Sequence, residues 1–256
     1  MSDFESRLQS LKDKIEKANN IVFFGGAGVS TESGIPDFRS KNGLYNQHDV
    51  NFDKFEPEYL LSYSCLYEHP DVFYEYYRQK LDCRGVEPNI THKKLAELEA
   101  SGKNIVIVTQ NIDGLHEKAG SKKIYNIHGT TMHNYCDICK AEFPADYIFT
   151  TDDKIPICPY CGEGMVRPDV TLYGETLPKA FDEAARIIEK ADLMIVAGTS
   201  LTVYPASTLI NYFKNEAGYV SGPLEGLIII NNEPTRSDGL AEIVFHENLG
   251  EIFSRL

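Results

Sequence analysis

The chain has 256 residues, enough for one large core or a core with a small satellite, and its 42% apolar content excludes a disordered protein. Acidic residues outnumber basic ones 38 to 25, so a net charge of −13 disfavours direct binding of nucleic acid and suits cationic partners such as lysine-bearing tails, if it does more than keep the chain soluble. No apolar run approaches the roughly 20 residues of a membrane span, and Met1-Ser2-Asp3-Phe4-Glu5 lacks the basic start of an export signal; the expectation is a cytoplasmic protein without membrane contact.

Phe4, Leu8, Leu11 and Ile15 recur at helical spacing behind Ser2 or Asp3, predicting a capped helix over residues 3 to 18 that covers a sheet. The apolar run Ile21 to Phe24 predicts a buried strand, which feeds directly into a glycine loop, Gly25 to Arg39. Gly26 and Gly28 read as positions that adopt conformations denied to other residues and leave room for a ligand's phosphates, held by N–H groups of a following helix. The dinucleotide fingerprint is incomplete, since Thr31 stands where a third glycine belongs and Gly34-Ile35-Pro36 interrupts any helix; a structural turn is the alternative.

From Lys41 to Cys83 the chain is rich in Tyr and Phe and predicts short helices with a loop. Tyr59, Tyr63, Tyr67, Phe73, Tyr74 and Tyr77 either line a groove or fill a core. A helix from Thr91 to Ala100, with Leu95 and Leu98 inside, ends near Gly102 ahead of a buried parallel strand, Ile105 to Val108. At its end, Thr109-Gln110-Asn111-Ile112-Asp113-Gly114 places two amides and a carboxylate where open α/β sheets bind ligands, although Asn and Asp also cap helices. A short helix holding His116, a strand from Lys123 to Ile127 and then His128-Gly129 follow. Asp192 to Ala197 and Leu227 to Ile230 repeat the strand pattern, ending at Gly198-Thr199-Ser200 and Asn231-Asn232, with a helix from about Pro205 to Asn215 between them. Ile243 to Phe245 reads as a last strand before a closing helix bearing Leu249, Ile252 and Phe253. Polar residues at four strand ends are what a doubly wound parallel sheet needs to grip one extended ligand.

Cys136-x-x-Cys139 and Cys158-x-x-Cys161, with 18 residues between the pairs, have the spacing of a zinc ribbon, in which two thiolate knuckles close a tetrahedron. Four thiolates leave no open position, so the predicted role is one structural Zn2+ holding an inserted lobe too small for its own core. Cys65 and Cys83 stand apart as ordinary thiols.

Gly26-Ala27-Gly28-Val29-Ser30, Pro36-Asp37-Phe38-Arg39, Thr109 to Asp113, His128-Gly129, the four cysteines, Gly198-Thr199-Ser200 and Ile230-Asn231 together resemble the sirtuin family of NAD-dependent protein deacylases. The resemblance implies a Rossmann-like domain (residues 1–40, 84–131 and 172–256), a helical and cofactor-loop segment (41–83) and a zinc-ribbon segment (132–171). NAD, consumed as co-substrate, and an acyl-lysine peptide or protein would meet between them, in a chain expected to be a monomer. It further implies that Gly26, Ala27, Gly28, Thr31, Asp37, Phe38, Arg39, Gln110 and His128 line the phosphate and ribose part of an NAD site. Asn111, Ile112 and Asp113 would form its nicotinamide pocket, and Gly198, Thr199, Ser200, Asn231 and Asn232 the side nearer adenosine. Val170 to Glu175, with Thr171, Tyr173, Gly174 and Glu175, resembles the strand that receives peptide, opposite Leu201 to Tyr204 with Val203. His128 would be the general base, removing a ribose hydroxyl proton once the acyl oxygen has displaced nicotinamide.

Family members preferring acidic acyl groups carry Tyr-x-x-Arg; this chain reads Tyr77-Arg78-Gln79-Lys80, and lysine lacks arginine's bidentate fork, so deacetylation is expected, with Tyr77 on the acyl group. Mono-ADP-ribosyl transfer and a non-catalytic zinc-ribbon adaptor are the alternatives.

Overall fold

A computed structural model describes residues 2–214 and 222–256. Helix α1 (Asp3–Lys17) is capped by Ser2, whose hydroxyl accepts from Glu5 N, and buries Leu8, Leu11 and Ile15. Strand β1 (Ile21–Gly25) is buried along its whole length. Three short helices follow, α2 (Pro57–Leu60), α3 (Tyr63–Glu68) and α4 (Pro70–Lys80), then α5 (Ile90–Ala100) and β2 (Ile105–Thr109). After α6 (Leu115–Ala119) and β3 (Ile124–Asn126), the chain leaves the first sheet through β4 (Gly129–Cys136), β5 (Glu142–Pro144), α7 (Tyr147–Thr150) and β6 (Val166–Val170). It returns with α8 (Lys179–Ile188), β7 (Leu193–Ala197), β8 (Leu224–Ile230), β9 (Ala241–Phe245) and α9 (Leu249–Phe253).

Six strands form one parallel sheet in the order β3-β2-β1-β7-β8-β9. Connections run outward on both sides of β1, so the strand order reverses there, the place where open α/β sheets leave a crevice for ligand. Alternation sends Ile21 and Phe23 into a core with Leu11 of α1, Leu95 of α5 and Phe253 of α9, while Val22 and Phe24 face Ala184 and Ile188 of α8. Register matters most for the site. Gly25 aligns with Thr109 and Ala197, and Ala197 with Ile230, which brings Gly26, Gln110, Gly198 and Asn231 out side by side at one edge.

The second sheet is antiparallel, in the order β5-β4-β6, and shares a third core with α2 to α4. Of the aromatic run, Phe73, Tyr74 and Tyr77 are fully buried there and Tyr63 and Tyr67 remain exposed, so packing claims half of the expected groove. The segment expected as a strand from Val170 differs too. Regular pairing ends at Val170, and Gly174 at φ 90 closes a turn in which Glu175 N donates to Leu172 O, leaving one parallel bridge between Ser62 and Tyr173. The expected helix after Pro205 is the tighter 3-10 form over Ala206–Tyr212, and its expected end, Asn215, lies outside the described residues. Among the described residues no helix is long and apolar enough to cross a membrane.

Candidate active site

The glycine loop leaves β1 as two 3-10 turns, Ala27–Val29 and Thr31–Ser33, instead of the expected helix. Gly26 is extended (φ −124) and neither it nor Gly28 has a positive φ, so conformational freedom is not why they are glycines. Close approach is. A Cβ on Gly26 would lie 2.7 Å from Thr199 Cβ, and one on Gly28 2.8 Å from Gly198 Cα. Those Cβ positions face the loop after β7, to which Gly28 N donates at Gly198 O (2.8 Å), so the two glycines let the loops meet. Left-handed geometry appears only at Gly34 (φ 91), where the second turn stops.

At the edge of β2 the polar residues converge. Gln110 N donates to Gly25 O, and its side chain reaches Thr199 Oγ1 at 3.0 Å, tying β2 to the loop after β7. Asn111 Nδ2 donates to Ser30 Oγ (3.0 Å), and Ser30 donates in turn to Asp113 Oδ2 (2.6 Å). Asp113 Oδ1 accepts from Leu115 N, at the start of α6. Burial pushes the Asp113 carboxyl up, against the opposing bonds from Ser30 and Leu115 N. Ser30, 1% exposed, is the hub of this cluster and was not singled out from sequence, although it sits inside the motif. Ile112 turns its carbonyl the other way, to Thr131 N and Oγ1.

His128 follows β3 and precedes β4. Its Nδ1 lies 3.0 Å from Gln110 O, an acceptor only, so Nδ1 carries the proton and Nε2 presents the lone pair. Burial lowers the imidazole's pKa, partly offset by that carbonyl, so the ring is neutral near pH 7. His128 O accepts from Thr171 N, holding the start of the expected peptide-receiving segment against the base.

Within that segment, Tyr173 N and O are both taken by Leu61 and Tyr63, while Gly174 N–H has no partner among the described residues. Arg39 donates to the Tyr173 hydroxyl (2.9 Å), which also bonds Tyr45, and Asp37 Oδ1 accepts from Arg39 N and Ser40 N. Phe38 rests 5.3 Å from the Tyr45 ring. Glu175 is committed elsewhere: it forms a bidentate pair with the buried Arg167 (2.6 and 2.9 Å) and accepts from Leu172 N. Burial works against its carboxylate, but those bonds outweigh it and hold its pKa below the usual range. Ser200 bonds Thr202, Thr31 bonds Gly28 O, and Asn231 turns its amide onto Glu233 O; Asn232 is exposed and Val203 half-buried. Tyr77 is 0% exposed, stacked against Phe73 and Phe149 with its hydroxyl unpartnered among the described residues, so it offers no open surface to an acyl group.

The four cysteines gather as the spacing predicts, their sulfurs all within 4.8 Å of one another. Cys136 and Cys161 Sγ are 3.6 Å apart, and Cys139 and Cys158 Sγ 3.7 Å. Zinc at roughly 2.3 Å from each sulfur of a tetrahedron needs sulfurs about 3.8 Å apart, so the set fits the metal. Cys139 N and Gly164 N donate to Cys136 and Cys161 Sγ, the outer bonds that orient such thiolates.

Residues 26–205 match the Sir2 family. The NAD-dependent protein deacetylases of Clostridium acetobutylicum and Cutibacterium acnes are 44% and 46% identical to the chain over 247 and 248 residues, covering 96% of each partner in both comparisons. Among solved structures, a Sir2 protein with a deacetylated p53 peptide and 3′-O-acetyl ADP ribose superposes with a TM-score of 0.84 at 33% identity, over 97% of this chain and 96% of that one. Sir2 bound to acetylated peptide gives 0.81 at 30% identity, again over 97% and 96%.

Proposed function

The chain belongs to the Sir2 family, and from that membership and the site at the sheet edge we infer an NAD-dependent protein-lysine deacetylase. Acetyl-lysine, NAD and water yield free lysine, nicotinamide and O-acetyl-ADP-ribose. The observation that carries the reading is His128: a buried, neutral imidazole whose Nδ1 proton is fixed by Gln110 O, with Nε2 left as a base beside the substrate segment.

Bound NAD supplies the ADP-ribosyl acceptor for the acyl group and a departing nicotinamide. Gly26, Ala27, Gly28, Thr31, Asp37, Phe38, Arg39 and Gln110 line its phosphate and ribose part, and Gly198, Thr199, Ser200, Asn231 and Asn232 its adenosine side. The polar edge lies where β1, β2, β7 and β8 end in register, which supports a single extended ligand there. The Ser30-linked pair Asn111 and Asp113 suits a carboxamide, since the amide and carboxyl together offer both a donor and an acceptor. Peptide adds along Thr171, Tyr173 and Gly174, with Val203 opposite and the free Gly174 N–H as donor. Glu175 acts by holding this turn through Arg167. The NAD lobe comprises residues 1–40, 84–131 and 172–256, and the small lobe 41–83 and 132–171, closed by zinc on Cys136, Cys139, Cys158 and Cys161.

Acetyl is the preferred acyl group because neither cation of the Tyr77-to-Lys80 stretch is free, among the described residues, to take an acyl carboxylate. Lys80 Nζ pairs with Asp49 at 3.1 Å, and the Arg78 guanidinium is spent on the carbonyls of Ile148, Asp153 and Lys154. A panel of acetyl, succinyl and propionyl peptides, with nicotinamide release and O-acyl-ADP-ribose measured together, tests the reading. Acetyl peptide turns over with the highest kcat/KM; nicotinamide release without O-acetyl-ADP-ribose would mean ADP-ribosyl transfer instead.

A further inference from the structure

Linked to the Ser30 cluster through Asn89 and Val29 lies a buried imidazole pair that the reaction as described does not use. His92 and His116 are 0% and 1% exposed, with rings 4.7 Å apart at 60°. His92 Nδ1 lies 3.0 Å from Asn89 Oδ1, which accepts only, so that nitrogen carries the proton, and among the described residues Nε2 is left without a partner. Among the described residues His116 has no partner for either nitrogen, and it sets its ring edge-on to Phe23 of β1 at 6.0 Å. Two apolar side chains would fill this space without stranded polar atoms, so the core gains nothing in stability from imidazoles here.

The pair connects to the site through its neighbours. Asn89 has its whole amide engaged: Oδ1 accepts from Thr91 N, His92 N and His92 Nδ1, and Nδ2 donates 2.8 Å to Val29 O. Val29 closes the first turn of the glycine loop, and the next residue is Ser30, which links Asn111 to Asp113. His116 lies in α6 immediately after Leu115, whose N–H holds the other oxygen of Asp113. One end of the chain of contacts therefore fixes the peptide beside Ser30, and the other bears on the helix that fixes Asp113.

We propose that Asn89, His92 and His116 are positioning residues for NAD, holding the Ser30 turn and the Asp113 turn at the spacing that nicotinamide requires. The inference rests on the deacetylase reading. Neutral rings suit the task, because a charge there would face no counter-ion: His92 feels burial alone, and His116 feels burial and His92.

Asn89→Ser keeps an oxygen to cap α5 but deletes the donor to Val29. With acetyl peptide as co-substrate, KM for NAD and the nicotinamide inhibition constant should both rise about tenfold, while KM for peptide and zinc content hold. His92→Asn, which retains a donor toward Asn89, should follow wild type, and His92→Leu, apolar and of similar bulk, should show the same tenfold loss. Wild-type NAD and nicotinamide constants in a folded Asn89→Ser protein overturn the proposal, as does a loss that falls equally on peptide KM. Failure of the wild-type protein to release nicotinamide would overturn the underlying reading instead, so the two failures are told apart by the control.

Discussion

Replacing Glu175 by alanine isolates the most heavily committed charge at the substrate segment. Arg167 is 5% exposed and meets Glu175 through two short bonds, 2.6 and 2.9 Å, and among the described residues Val170 O, Pro168 O and the Tyr67 hydroxyl, with the Tyr135 ring at 5.6 Å, remain if the carboxylate goes. None of these carries a full negative charge, so the variant leaves a buried cation uncompensated, a loss of about 3–5 kcal/mol. At 2–4 °C per kcal/mol for a chain of this size, the melting midpoint should fall by roughly 10 °C. The turn that shapes Gly174 loosens too, because Leu172 N loses its acceptor, so acetyl-peptide KM should rise while KM for NAD stays near wild type. Replacing both partners, Arg167→Met with Glu175→Leu, should recover most of the stability but not the peptide affinity. Thermal melts of the zinc-loaded protein and steady-state kinetics provide both readouts. A Glu175→Ala variant within about 1 kcal/mol of wild type would mean that water or another group already compensates Arg167, and would refute the reasoning.

Gly28→Ala forces a Cβ to within 2.8 Å of Gly198 Cα, and should cost about 3 kcal/mol or more and raise KM for NAD. Gly34→Ala meets nothing within 4 Å but carries a φ of 91, so it should cost only about 1 kcal/mol; equal melting points for the two variants would contradict the packing argument. Chelating zinc, or replacing Cys158 by Ser, should abolish the antiparallel sheet's contribution to the near-UV spectrum and peptide turnover together, and metal content near one zinc per chain is the accompanying check. Acid should act in two separable ways. His128 works unprotonated and burial depresses its pKa, so the acid limb of kcat/KM should lie at lower pH than an ordinary imidazole would put it. Buried His92 (lowered to about 4) and His116 (to about 3) bind protons better when unfolded, so stability is full above pH 6.5 and declines as pH falls toward those values. His92 alone accounts for about 3 kcal/mol, and urea midpoints that stay flat from pH 6.5 to 4.5 would count against it.

Much of the sheet was legible because period and punctuation coincide. Ile21 to Phe24, Ile105 to Val108 and Leu227 to Ile230 are apolar runs that end at small or amide residues, and each strand extends the run only slightly, to Gly25, Thr109 and back to Leu224. The cysteine spacing foretold four converging sulfurs, since ligand geometry leaves few other uses for two such knuckles. Side-chain destinations were less legible. Gly26 and Gly28 belong to a contact with Gly198, some 170 residues away in sequence, which no local pattern encodes. Tyr77 lies on the same helix face as Phe73 and Tyr74, and periodicity marks that face as buried without saying that it lies beneath the groove rather than along it. Ser30 is a small polar residue inside a glycine motif, where a capping role and a hub role look alike. Its partners Asn111 and Asp113 come from another strand, and only the parallel register of β1 with β2 brings them together.

Strand β4 has a further consequence. It begins at Gly129, beside the imidazole, and ends at Cys136, a metal ligand, and its first residue pairs with Val170 just before Thr171 N closes onto His128 O. Two passages of the chain between the sheets thus run through one knot of backbone that includes the base. A proton acceptor mounted there is held by the backbone of both sheets at once.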